Sequence, residues 1–223
     1  MNTKFKFNNI WNKCESLANG YFRKAVELMP QIKQFERSFE PARYEYAVQS
    51  RYMHRGFYCP SLILEYVIDN VKRGRIAKRI TSKTKPTNAY FFDEDNIMRI
   101  TETYYPNKGF TTEYLFYEDN IIYGITCEPD YRITMISIEV YIDNRIQSYM
   151  CAFYGCTTSK PYRITCENYR YENSCVEGEW YDMISPWCGH KGMVCGDTRG
   201  HGDTGTVLLS PPKNPADQNK TET

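Results

Sequence analysis

Three Asp-Asn pairs, ending at Asn96, Asn120 and Asn144, stand 24 residues apart, and no other feature of this chain limits its fold so tightly. Phe92, Phe116 and Val140 lie four residues before each Asn, and Tyr90, Tyr114 and Ile138 six before. Met98, Ile122 and Ile146 lie two after. Asn and Asp accept left-handed backbone at little cost, so such a pair between two runs of period two is a hairpin signal. Pro106-Asn107-Lys108-Gly109 and Glu128-Pro129-Asp130 supply turn chemistry between the pairs.

A turn about every 12 residues predicts an antiparallel up-and-down meander built from 24-residue hairpin repeats, not a parallel sheet. The expected strands are Ala89–Asp93, Ile97–Tyr105, Thr112–Tyr117, Ile121–Cys127, Ile133–Ile142 and Arg145–Tyr154. Asn168 marks a degraded fourth copy, and the sheet is expected to run on to about Tyr181. The 20 tyrosines suit half-buried pleated surfaces and interfaces.

Before the sheet the period is helical. Ile10, Trp11 and Cys14 open a short helix, and Phe22, Ala25, Val26, Met29, Ile32 and Phe35 follow after Gly20. Pro30 predicts a kink or restart. Tyr44 to Tyr58 fits either period. Ser61 is a candidate N-cap for a helix whose apolar face is Leu62, Ile63, Tyr66, Val67, Ile68 and Val71. The expected class is therefore α+β, with N-terminal helices packed on the meander. Residues 1–86 form a basic helical region and 87–184 the sheet, in one domain. Residues 185–210 read as a Gly- and Cys-rich loop region, and 211–223 as a disordered tail.

Charge is unevenly spread. Up to Pro86 there are 17 Lys and Arg against 7 Asp and Glu, a net of +10; from Thr87 onward there are 11 against 20, a net of −9. The halves either attract each other or face different partners. Nine scattered cysteines form no disulfide framework, Met1 to Asn9 has no secretory core, and no run nears the roughly 18 apolar residues of a membrane helix. These features lead us to expect a cytoplasmic protein with reduced thiols and no membrane partner.

The candidates for chemistry are few. Cys175, Cys188, His190 and Cys195 have zinc-ligand chemistry, without the paired spacing of common zinc modules. His201 and Asp203 could form a base and its carboxylate, but Gly200 and Gly202 predict a loop and no nucleophile accompanies them. Lys72, Arg73, Arg75, Lys78, Arg79, Lys83 and Lys85 form a basic segment able to contact phosphates, although the acidic half would repel a nucleic acid lying across both. Asp93, Glu94, Asp95, Glu118, Asp119, Asp143 and Glu167 are expected along one rim, with Tyr117 and Tyr141 beside them. Such a face suits docking a basic protein, because rings anchor and complementary charge speeds encounter.

Over about Tyr90 to Tyr171 the repeat resembles the tyrosine- and Asp/Asn-rich hairpin repeats of bacterial polymorphic-toxin systems; it assigns no family. The sequence thus reads as a non-enzymatic protein-binding module, with an immunity-type inhibitor of a basic toxin as its specific form and no cofactor. The alternatives are a metal-dependent hydrolase using the C-terminal Cys, His and Asp residues, and a nucleic-acid binder acting through 72–85.

Overall fold

The structure is a computed structural model that describes residues 3–51, 53–67, 71–81, 83–106, 109–155, 159–172, 175–184 and 201–209. One helix, α1 (Thr3–Ser38), lies on one face of a single antiparallel sheet. The strands are β1 (Arg43–Val48), β2 (Arg75–Ile76), β3 (Asn88–Phe92), β4 (Met98–Tyr105), β5 (Gly109–Glu118), β6 (Ile121–Cys127), β7 (Ile133–Ile142), β8 (Arg145–Tyr154), β9 (Pro161–Glu172), β10 (Cys175–Ile184) and β11 (His201–Leu209). From β3 to β11 they lie side by side in chain order; β1 then pairs with β3, and β2 with β1 at the far edge. The class is α+β and the meander is up-and-down.

The predicted hairpins fall close to their expected bounds. Asn96, Asn120 and Asn144 lie in the β3–β4, β5–β6 and β7–β8 turns, all at the same end of the sheet. Asp143 and Asn144 both take positive φ, 50° and 59°, the signature of a type I′ hairpin turn. Asp119 alone is left-handed in its turn, at φ 49°, and Asn96 is at 60°. Asn168 is different: it sits inside β9, paired with Ser148 and Glu179, so it makes no turn.

The helical half departs further from expectation. Gly20 and Pro30 lie within one continuous helix of 36 residues. Its buried stripe repeats every seven residues, through Trp11, Ala18, Ala25 and Ile32, with Cys14, Phe22, Met29 and Phe35 beside it. That stripe packs on Ile125, Ile136, Ile138, Met150, Ala152 and Ile164 of the sheet, and Tyr154 donates its hydroxyl to the Ala18 carbonyl at 2.9 Å. Pro30 is exposed, as is Val26, whose carbonyl loses its partner to the proline. Water can satisfy that carbonyl while the opposite face stays anchored.

The described residues between Gln49 and Gly74 lie against the second face of the sheet, through Arg55, Ser61 and Ile63. Ile63 packs there on Met135, Tyr149, Cys151, Tyr169 and Val176. Of the expected helix after Ser61 the described residues show α2 (Leu64–Val67), capped by Ser61 Oγ, which accepts from the Leu64 amide at 2.9 Å, while Ile68 lies outside them. Residues 201–209, expected in a loop, form β11 because its amides and carbonyls pair along β10 and need no side chains to do so. Among the described residues no helix is long and apolar enough to cross a membrane.

A continuous helix at Pro30 makes a direct prediction. Pro30→Ala restores one backbone hydrogen bond and removes a ring clash, so it should stabilise the protein by about 1–3 kcal/mol, read as a higher urea midpoint. A variant no more stable than the parent would contradict a helix running unbroken through residue 30.

Candidate functional site

The acidic end of the sheet is built by its turns. Asp93 accepts the Ile97 amide at 2.9 Å and the Arg99 Nε at 2.5 Å, which together hold its carboxyl below the usual range. Lys24 of α1 reaches both oxygens of Glu118 at 2.7 Å. Glu94, Asp95, Asp119 and Asp143 are exposed. The two tyrosines do not share a face with Glu118. Alternation along β5 sends Glu118 to the α1 side and Tyr117 to the other, where it donates to the Met98 carbonyl at 2.7 Å. Tyr141 lies on that second side and donates to Glu139 at 2.8 Å. Glu167 is not on the rim at all; it is buried within β9.

The densest constellation of polar groups lies elsewhere, between the second face and the 49–74 stretch. Arg55 donates through Nε and Nη2 to the two oxygens of Glu113, at 2.8 and 2.9 Å, and through Nη2 to Ser137 Oγ at 2.9 Å. Its Nη1 donates to Glu139. His54 Nε2 stands 3.0 Å from both Glu113 oxygens, and Nδ1 stands 2.7 Å from the Tyr149 hydroxyl. That hydroxyl is 2.7 Å from Cys151 Sγ. Arg55, Glu113 and Glu139 are each no more than 3% exposed.

Local geometry makes room for this cluster. Arg55 and Gly56 take successive left-handed conformations, φ 55° and 54°, which turn the guanidinium down onto the sheet. A Cβ on Gly56 would meet Asn88 Oδ1 at 2.3 Å. A Cβ on Gly124 would fall 1.9 Å from Glu113 Oε1 and 2.7 Å from Arg55 Nη2, so only glycine leaves space for the ion pair above β6.

Charge states follow from the contacts. Burial works to raise the Glu113 carboxyl, but Arg55 and His54 outweigh it and hold it well below the usual range. Burial likewise opposes the charge on Arg55, and Glu113 and Glu139 overcome it. Cys151, His54 and Glu113 stand in the order of a thiol, imidazole and carboxylate relay, with the sulfur 3.7 Å from Nδ1. Yet burial pushes the thiol well above its usual range, the Tyr149 hydroxyl occupies the intervening hydrogen bond, and Cys151 is 1% exposed. The arrangement fastens a crossing chain; a substrate has no route to the sulfur while it is closed.

A second fastening lies nearby. Ser61 Oγ donates to Glu167 at 2.8 Å, Tyr169 donates to the same carboxylate, and the Tyr169 hydroxyl accepts the Leu62 amide at 3.0 Å. Burial raises the Glu167 carboxyl to about 7, against the pull of Tyr169, Ser61 and Arg73. Glu102 with Tyr104, Glu139 with Tyr141, Glu167 with Tyr169 and Glu179 with Tyr181 each form a hydrogen bond two residues apart along one strand face. This Glu-x-Tyr pattern was the available sequence signal for acids turned toward the sheet surface.

The remaining candidates are scattered. Cys175 is exposed at the start of β10, whereas Cys188, His190 and Cys195 lie outside the described residues. Among the described residues no three His, Cys, Asp or Glu side chains are grouped to hold a metal. His201 and Asp203 occupy alternate positions of β11, opposite Ile184 and Asp182. In the basic segment Arg73 is engaged, donating through its side chain to Glu65 at 3.1 Å and to the Cys59 carbonyl at 2.5 Å. Arg75, Lys78, Arg79, Lys83 and Lys85 line a cavity of about 440 Å³ beside β1 and β2. No protein-family model matches the chain, and no curated protein or solved structure matches it.

Two stability measurements probe the buried groups. Arg55→Met leaves Glu113 and Glu139 buried without their cation and should cost about 3–5 kcal/mol in urea unfolding; a loss under about 1 kcal/mol would show that the charges are not desolvated. Glu167 has a folded value of about 7 against an ordinary 4.5, so its favourable contribution is complete below 4.5 and is lost as pH rises through 7. Glu113 acts with the opposite sign, its contribution being lost as pH falls below 4.5. Between pH 5 and 8 the parent should therefore lose about 2–3 kcal/mol that Glu167→Gln does not lose. Parallel pH profiles for the two proteins would refute the assignment.

Proposed function

We propose that this chain is a non-enzymatic protein-binding module of the cytoplasm that presents its acidic turn end to a basic protein, in the manner of an immunity-type inhibitor covering a basic toxin domain. One observation carries the proposal: alternate turns return to one end of the sheet and set Glu94, Asp95, Asp119 and Asp143 there exposed. The 24-residue spacing is the sequence device that would keep those turns in line. Burial of the second face supports the same reading, because the buried polar groups there are spent on fastening Arg55 and Ser61 to the sheet. A row of carboxylates at one end of a sheet favours fast, salt-sensitive encounter with a cationic surface.

A second reading is favoured by the cavity beside β1 and β2. Among the described residues Arg75, Arg79, Lys83 and Lys85 have no carboxylate within 4 Å, and converging cations of this kind suit phosphate groups of a nucleic acid. The two readings place binding at different surfaces and separate cleanly.

The test is capture from the native host with the parent protein and with a variant carrying Glu94→Lys, Asp95→Lys, Asp119→Lys and Asp143→Lys. The parent should retain a basic protein that elutes with salt, and recombinant titration should show at least tenfold weaker binding by the variant. A partner held equally by both would place the docking surface elsewhere. Retention of nucleic acid, lost on reversing Arg75 and Lys85, would favour the second reading.

A further inference from the structure

Cys14 of α1 and Cys166 of β9 meet across the seam between helix and sheet, with their sulfurs 3.4 Å apart. Both are free thiols and both are partly exposed, whereas Cys59, Cys127 and Cys151 are buried. Cys166 stands between Met150 of β8 and Tyr181 of β10, on the face that α1 covers. Both thiols pack against the margin of the core under α1, and neither takes part in the Arg55 cluster or in the acidic end.

We propose that Cys14 and Cys166 form a peroxide-sensitive pair whose oxidation to a disulfide staples α1 to the sheet. The sulfurs need to close from 3.4 Å to the roughly 2.0 Å of a disulfide bond, a movement within the reach of a side-chain rotation and a small slide of the helix. The chemistry balances with hydrogen peroxide as the oxidant. The Cys14 thiolate attacks one peroxide oxygen, the O–O bond breaks, and hydroxide leaves, giving a sulfenic acid on Cys14. The Cys166 sulfur then attacks the Cys14 sulfur; the S–O bond breaks and the hydroxyl departs as water with the Cys166 proton. Two thiols and one peroxide become one disulfide and two waters, and two electrons pass from sulfur to oxygen.

The two cysteines are not equivalent. The Cys166 thiol donates to Cys14, and Lys13 lies beside it in sequence; both lower the Cys14 thiol against the effect of burial. Cys166 is raised, first by that same contact and then by burial. We take Cys14 as the attacking sulfur and Cys166 as the resolving one, an order that the two serine variants below distinguish. The bond would link the first helix to a strand far along the chain and so constrain the unfolded state strongly. It would hold α1 across the sheet when the medium turns oxidising, and release it on reduction.

The test uses the full chain, treated with hydrogen peroxide and then with dithiothreitol. Intact mass should fall by two hydrogens, and a peptide map should join the Cys14 and Cys166 peptides. The melting temperature should rise by roughly 10 °C and return on reduction. Cys166→Ser should instead accumulate one or two added oxygens at Cys14, since no resolving thiol remains. Cys14→Ser should show neither the link nor the stabilisation. A parent protein that keeps both thiols after peroxide, or that links Cys14 or Cys166 only to another cysteine, would overturn the proposal.

Discussion

The Arg55 guanidinium, held between Glu113 and Glu139 with almost no exposure, is the contact on which the rest of this structure depends. One cation faces two carboxylates, and the deficit is met by donors: Ser137 and His54 toward Glu113, Tyr141 toward Glu139. Such a cluster need not add net stability over an apolar core, because desolvating three charges costs several kcal/mol each before attraction returns it. Its effect is one of specification. A crossing stretch with little regular structure has few ways to choose a register on a sheet, and a bidentate ion pair admits one.

That choice shapes what each surface can do. Among the described residues α1 lies on one face and Arg55, Ser61 and Ile63 pack on the other, and exposed charge collects at one end and one edge of the sheet. The acidic turns occupy one end, and the short strand β2, with the cations that follow it, occupies one edge. Charge on the sheet edge also guards against pairing with another strand, so part of that basic segment is explained without a ligand. The excess of cations before Pro86 and of acids after it is met in part inside the fold, through Lys24 with Glu118 and Arg55 with Glu113 and Glu139.

Much of the sheet could be read from the chain, because period-two alternation and Asp-Asn turns are local signals. The bounds of β6, β7 and β8 coincide with the apolar runs that predicted them. The length of α1 was hidden by Pro30 and Gly20, although the seven-residue recurrence of Trp11, Ala18, Ala25 and Ile32 was present to override them. The buried cluster was invisible for a different reason. Arg55 and Glu139 are 84 positions apart, and only the register of β5, β6 and β7 brings Glu113, Gly124 and Glu139 beneath one guanidinium. A Glu inside the run Ile136-Ser137-Ile138-Glu139-Val140 was the clue, since an acid facing the core requires a partner. Glu167 misled for the same reason: its sequence neighbourhood looks like a turn, and its position in β9 buries it.

The buried Arg55 cluster requires a closed second face, and the reactivity of the thiols on that face measures closure directly. Under native conditions a small maleimide followed by mass spectrometry should modify Cys175 fully while Cys59 and Cys151 remain unmodified until denaturant is added. Modification of Cys151 at the rate of Cys175 would mean that the 49–74 stretch does not seal the sheet, and the Arg55 cluster would lose its place at the centre of the fold.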